Sequence, residues 1–395
     1  MALVTPTFAA GDHNTFDVGS IRDILEQIMV PHTEAMAMLR ILFANKQTGP
    51  LNPKEEFEIP IKTKNYSPSI SRKNDKYPLD DIDNIVSEKW GVVKMKTGAG
   101  TNDDDVAHFS NVGSLALFNH IDIKVESMHE GFTKVLNFLP FYDWDGTTDI
   151  VGEEIDVSSL LSNQSLPPED LKLKEVSSIS DLPYSLPMAA RKTVTGHTFG
   201  NIPTTPTTNL YWQPVVTDAS GATVTRNTTA YDADSNPQTD IVTSITDPVP
   251  LDQSELRTHL SKMQEGKQYA LLAPCGRDLY GQLRDIITSM NIRDHQSPIA
   301  DLGIRSAITW DEYNVTFFHD PKMDALWPTT IWFFDPLAYY MKTDVMFDPT
   351  GGTGFYPWDR ISGTTNWGTM IRMIYQFITS DRRGVGAMHG YTSDS

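Results

Sequence analysis

The stretch "MIRMIYQFIT" at residues 370–379 sets the strongest condition on how this chain can fold. Successive strand residues point to opposite faces. Met370, Arg372, Ile374, Gln376 and Ile378 therefore share one side, and Ile371, Met373, Tyr375 and Phe377 share the other. Both sides are mostly apolar, so the strand needs cover on both faces. It stands near the end of a 395-residue sequence, where chains commonly fray. Its cover must come from segments far earlier in the chain. The next piece, Val385 to Tyr391, reads as a partner strand returning after a charged turn at Asp381 to Gly384, which includes Arg382 and Arg383.

A second condition comes from residues 112–139. Apolar residues fall at Leu115, Phe118, Ile121, Val125, Met128, Phe132, Val135 and Leu139, in steps of three and four. That spacing predicts one helix of about 40 Å at 1.5 Å per residue, stopped by Pro140. "FYDWDGTT" after it reads as a turn. Earlier, residues 1–19 read as an extended arm. A helix from Ser20 follows, with Ile21, Ile24, Leu25 and Ile28 inward. A second helix over His32–Asn45 uses Met36, Leu39, Leu42 and Phe43.

Between these helices lies a stretch of another kind. "FEIPIK" at 57–62 alternates as a strand, and "GVVKMK" at 91–96 alternates again. The residues between them are polar, with both charge signs and two prolines in "NYSPSISRKNDKYPLDDIDNIVSEKW". A strand out and a strand back form a long two-stranded arm. Such an arm cannot bury its own surface and needs something outside its domain to lie on.

Residues 145–250 are irregular and rich in Thr, Ser, Pro and Asn; the part around 217–240 reads as a hairpin or exposed loop. Order then returns: a short helix at "SELRTHLSKMQEG", a buried strand at "YALLAP", and a helix with Leu279, Leu283, Ile286, Ile287 and Met290 inward. Strands at "IRSAITW", "NVTFFH" and "TTIWFFD" follow. Mixed helices and strands with short links define an α+β domain. Length alone suggests two or three domains.

Little in the sequence points to catalysis. "GGTGFY" at Gly351 is glycine-rich but lacks the Lys-Ser/Thr of a phosphate loop. Asp232 to Asp240 places carboxylates at calcium-loop spacing, but Pro237 and Thr243 stand where that loop needs Gly and Glu. Asp311 and Glu312, adjacent on a strand, would point to opposite faces. His120 and His129 on the long helix read as packing or surface residues. The single cysteine, Cys275, follows an apolar run and reads as a small buried hydrophobe. One cysteine excludes an internal disulfide and a cysteine-based zinc site. We expect no catalytic residue, no cofactor and no metal site.

The formal net charge of −19 disfavours tight wrapping of nucleic acid. No run approaches the ~20 apolar residues of a membrane span. "MALVTPTFAAGDHNT" has no basic region ahead of an apolar one, so the chain is expected to be made in the cytosol.

The order of these parts resembles the major capsid proteins of tailed bacteriophages with the HK97 fold. Several stretches carry the resemblance: "NVGSLALFNHIDIKVESMHEGFTKVLNFLPFYDWDG", "GHTFGNIPTTPTTNLYWQP", "LSKMQEGKQYALLAPCGRDLYGQLRD", "ADLGIRSAITWDEYNVTFFHDP" with "TTIWFFDPLAYYM", and "IYQFITSDRRGVGAMHG". The resemblance implies an α+β fold in six parts. These are an N-terminal arm and helices (1–56), an extended E-loop hairpin (57–110), and the spine helix of a peripheral domain (111–145). An irregular region with a surface insertion at 213–249 (146–250), an axial domain (251–345), and C-terminal strands closing the peripheral domain (346–395) complete it.

The implied function is self-assembly, through pentamers and hexamers, into an icosahedral virion head around double-stranded DNA, in the host cytoplasm. The E-loop would lie on a neighbouring subunit. Lys64, Arg72, Lys73, Lys76, Asp80, Asp81, Asp83 and Lys89 are the candidate contacts. The family's Lys–Asn cross-link has no counterpart that can be placed here, so no covalent mesh is expected. A separate scaffolding protein, a portal and a decoration protein are the implied partners, with DNA touched weakly. The rival readings are an encapsulin-like compartment shell, a soluble hydrolase with a site in the loops of 145–250, and a phage tail or decoration protein.

Overall fold

The computed structural model describes residues 37–49, 56–62, 85–102, 114–143, 182–191, 212–227, 241–265, 267–289, 307–344, 355–360 and 366–393, with short pieces between them. Along the chain come helix α1 (Ala37–Ala44) and strands β1 (Gln47–Gly49), β2 (Glu56–Lys62), β3 (Ile85–Gly91) and β4 (Val93–Asn102). Helix α2 (Ser114–Phe138) and a single turn α3 (Leu186–Ala189) follow, then β5 (Val215–Asp218), β6 (Thr223–Asn227) and β7 (Ile241–Thr246). The second half holds α4 (Gln253–Met263), β8 (Leu271–Cys275), α5 (Arg277–Ser289), β9 (Ile308–Trp310), β10 (Val315–His319), α6 (Pro321–Leu326) and β11 (Thr330–Phe334). It ends with β12 (Tyr339–Asp344), β13 (Phe355–Arg360), β14 (Asn366–Thr379) and β15 (Val385–His389). The first expected helix, from Ser20, lies outside the described residues.

Two sheets organise the molecule. The first has six strands in the order β9-β10-β8-β11-β15-β5. Its strands are apolar on both sides, and their two-residue period sorts the side chains into two separate cores. Leu271, Ala273, Cys275, Phe317, Ile331, Phe333 and Met388 pack under α4 and α5, with Leu256, Leu260, Leu279 and Leu283. Leu272, Phe318, Trp332, Phe334, Val385 and Ala387 face the opposite core. Full burial of side chains of this size contributes about 1.5–3 kcal/mol each.

The second sheet forms around β14. Tyr375 pairs with Thr343 of β12 and with Val93 of β4, so these strands flank opposite edges. Ile371 pairs with Phe355 of β13 and with Thr97 of β4. Strands β12 and β13 thus line one edge of β14 in succession, and β4 runs along the other. Parallel β1 extends the sheet beyond β12. As the alternation requires, Ile371, Met373, Ile374, Tyr375, Gln376, Phe377 and Ile378 are all buried. Along α2 and one residue beyond it, the described members of the apolar face, Val125, Met128, Phe132, Val135 and Leu139, are buried too. The side chains of Leu115, Phe118 and Ile121 lie outside the described residues. A turn follows the helix as expected, and its Phe141 and the adjoining Tyr142 are buried in the core.

Three expectations are corrected. Strand β15 does not return against β14. It crosses to the six-stranded sheet, between antiparallel β11 and parallel β5. The 93–97 alternation is not the return of the arm. The strand that pairs with β2 is β3, in register from Glu56↔Gly91 to Lys62↔Ile85, whereas β4 belongs to the β14 sheet. The alternation of β4 reflects an edge strand with one wet face. Lys94 and Lys96 are exposed and Met95 is half-buried, an arrangement that protects sheet edges. Third, part of 213–249 belongs to the larger sheet. Strand β5 is its edge, and the β6–β7 hairpin follows, anchored by an Arg226–Asp218 ion pair.

Candidate assembly surfaces and the ties behind them

The expected contact residues cluster on the segment between β2 and β3. Of them, Lys89 lies on β3, opposite Glu58 in the register. Lys64, Arg72, Lys73, Lys76, Asp80, Asp81 and Asp83 fall outside the described residues. The structure does fix where that segment begins and ends, because the Lys62↔Ile85 pair brings its two ends together. Strands β2 and β3 form a two-stranded sheet of their own, so the described ribbon has no third strand to lie against.

The base of this ribbon is firmly seated. Trp90 is fully buried, with its ring edge-on to Tyr184 at 4.8 Å between centroids. Gln376 lies behind it. A glutamine in the middle of a buried strand needs partners for its amide, or it costs about 1–3 kcal/mol. Its Nε2 donates to the Gly91 carbonyl at 2.8 Å. Its Oε1 accepts from the backbone N–H of Tyr184 and of Phe377, each at 2.9 Å. One side chain thus joins the end of β3, the segment ahead of α3 and strand β14.

A second tie holds the turn between β14 and β15. The sequence reads Arg382 as part of a charged turn; the structure keeps a turn there and buries this side chain completely. Its guanidinium donates to the carbonyls of Ala189 at 3.0 Å, Arg191 at 2.7 Å and Trp212 at 3.4 Å. Five N–H donors in a fixed fork suit such a cluster of carbonyls. Arg191 in turn forms a buried ion pair with Asp143, just after α2. Tyr142 donates to the Pro183 carbonyl at 2.5 Å. Burial pushes its phenol well above the usual range. Apart from the adjacent Phe377 N–H, the partners of Gln376 and Arg382 lie 170 to 285 residues away. No local sequence signal encodes them; the only clue is a polar residue within or next to an apolar run.

The groups that could carry chemistry do not converge. Cys275 is fully buried with its thiol toward the Phe318 carbonyl, and desolvation raises its pKa far out of the nucleophilic range. His319 and Asp324 are 2.8 Å apart, but the other oxygen of Asp324 accepts from the first N–H of α5 at 2.5 Å, which makes this carboxylate a structural cap. Asp311 and Glu312 lie in a 3-10 turn after β9 rather than on a strand. His129 is buried on α2, and desolvation lowers its pKa to about 4. His259, fully buried on α4, is lowered to about 3 by desolvation first and then by the charges of Lys262 and His389. A shallow trough along α4, including Asp252, Arg257, Lys262 and Glu265, carries charges of both signs on one helix face. Among the described residues no group of three or more His, Cys, Asp or Glu could hold a metal. The glycine-rich stretch at Gly351 and most of Asp232–Asp240 lie outside the described residues.

No protein-family model matches the chain, and no curated protein matches it in sequence. Among solved structures, a chain of the cyanophage A-1(L) capsid asymmetric unit matches over 91% of this chain and 93% of its own, with 10% identity and a TM-score of 0.55. The capsid of an empty GTA particle matches over 90% of this chain and 91% of its own, with 8% identity and a TM-score of 0.47. The holo-SrpI encapsulin complex from Synechococcus elongatus matches over 90% of each chain, with 8% identity and a TM-score of 0.41. The first match defines the class: over nearly its whole length the chain shares the mixed α+β fold of a phage capsid chain. The other two are too distant in shape to add to that conclusion.

Proposed function

We propose that this chain is the major capsid subunit of a tailed bacteriophage, and that it assembles through pentamers and hexamers into an icosahedral head around double-stranded DNA. The observation that carries this reading is the fold shared with a phage capsid chain along 91% of the sequence. In this reading α2 is the spine helix, the β14 sheet belongs to the peripheral domain, and the six-stranded sheet with α4 and α5 is the axial domain. The β2–β3 ribbon and residues 63–84 are the E-loop, lying on the neighbouring subunit through Lys64, Arg72, Lys73, Lys76, Asp80, Asp81, Asp83 and Lys89. The role is structural rather than catalytic. Many modest contacts add up through a closed shell, and the net charge of −19 suits a wall that contains DNA without coating it tightly. Scaffolding, portal and decoration proteins are the proposed partners, the virion is its location, and the host cytoplasm is where it assembles.

The test is electron microscopy of the full chain, expressed alone and with its neighbouring genes. Closed shells, or rings of five and six subunits, are expected; a monodisperse monomer under both conditions overturns the reading. A deletion sharpens it. Removing residues 63–84 and closing the ribbon with a short turn spares β4, and it should give a folded chain that forms no shells. Normal shells from that variant would remove the E-loop from the account.

A further inference from the structure

One carboxylate starts two helices. Asp320 is fully buried between β10 and α6. Its Oδ1 accepts from the backbone N–H of Lys322 at 3.0 Å, capping α6 in the ordinary local way. Its Oδ2 accepts from the backbone N–H of Met38 at 3.0 Å, 282 residues earlier, in the first turn of described α1. First-turn N–H groups have no acceptor within their own helix, and the positive end of a helix favours a carboxylate. So α1 takes a cap from a remote strand end. Met38, Leu39, Ile41 and Leu42 of α1 are buried in the core, and such packing is not directional. The larger sheet does not depend on this side chain: the backbone N–H of Asp320 donates to the Cys275 carbonyl at 3.2 Å whatever residue stands there.

We propose that Asp320 is a shared cap that latches α1 onto the six-stranded sheet, so that α1 can be released as a unit while the sheet stays closed. The latch belongs to the single chain and stands whether or not the chain builds a shell. Its far end is fixed, because α6 is also tied to the end of α2 by the Trp327 indole, which donates to the Phe141 carbonyl at 2.8 Å.

The test is hydrogen exchange on the purified full chain with Asp320→Ser. One hydroxyl can still cap α6 but cannot reach both helices. Amides of α1 should exchange about 10–100 times faster, the effect of losing one hydrogen bond to a charged group, with β8 and β11 unchanged. Unchanged α1 amides, or β8 and β11 accelerating by the same factor, would overturn the latch. Should the Ser variant fail to fold, Asp320→Asn keeps the volume and makes two donors share one oxygen. Acceleration at one helix start with a quiet sheet supports the latch; two quiet helices or a moving sheet reject it.

Discussion

The two sheets of this protein are held together by different means. The six-stranded sheet is sealed chiefly by alternation, with polar pairs such as Thr330–His389 and Thr217–His259 beside it. Most of its strands send apolar residues to both cores, and most come from one continuous half of the chain. The β14 sheet is assembled from remote pieces, β1, β4, β12, β13 and β14, and the polar ties of Gln376 and Arg382 stand behind it. Apolar packing tolerates many arrangements of similar volume. A set of hydrogen bonds tolerates few, because each unmet donor costs free energy. The sheet gathered from distant segments is the one backed by an amide and a guanidinium bonded to remote backbone.

The largest expected effect tests those ties. Arg382→Ala removes three hydrogen bonds and leaves the carbonyls of Ala189, Arg191 and Trp212 beside a cavity, which should cost about 3–5 kcal/mol in denaturant unfolding. Arg382→Lys should recover only part of this. A loss below ~1 kcal/mol for Arg382→Ala would reduce the tie to a bystander.

Next comes acidity, which probes the larger sheet instead. His259 is held neutral against Phe333, with a Thr217 hydroxyl at 2.9 Å from Nδ1, and its pKa falls from 6.5 to about 3. The unfolded chain then binds more protons than the folded one between those values. Stability is complete above the unfolded pKa and is lost as pH falls below it. The loss from this residue should reach about 2 kcal/mol by pH 5, with His129 adding loss in the same direction. Unfolding measured at several pH values should show a shallower slope in His259→Gln; an identical slope would place the titration elsewhere.

The last effect is the most local. Gln376→Leu unties Gly91 and Tyr184 and should cost about 1–3 kcal/mol. Exchange protection should be lost first at the base of the β2–β3 ribbon. Uniform loss across both sheets would erase the distinction between them.

The sequence discloses what depends on local period. The inward faces of α2 and α5, the double-sided burial of β14, and the strands at 271–275, 315–319 and 330–334 all follow from spacing. It conceals what depends on distant partners. Val385–His389 has the composition of a strand, but nothing in it says that its neighbours are β11 and β5. Lys94 and Lys96 alternate just as an arm would, and only the pairing with β14 shows an edge strand. Arg382 and Asp320 carry charge, which argues for the surface unless one knows which carbonyls and N–H groups await them. For the candidate contacts, all but Lys89 lie outside the described residues, and the structure shows only the paired strands at the two ends of their segment.

The crossing of the chain from β14 to β15 also sets a schedule. Strands β11 and β5 have no contact through the sheet until residues 385–389 slide between them. During synthesis every other strand of that sheet is made first, yet the sheet keeps a strand-wide gap. A nascent chain therefore lacks a finished surface until nearly all of these 395 residues exist.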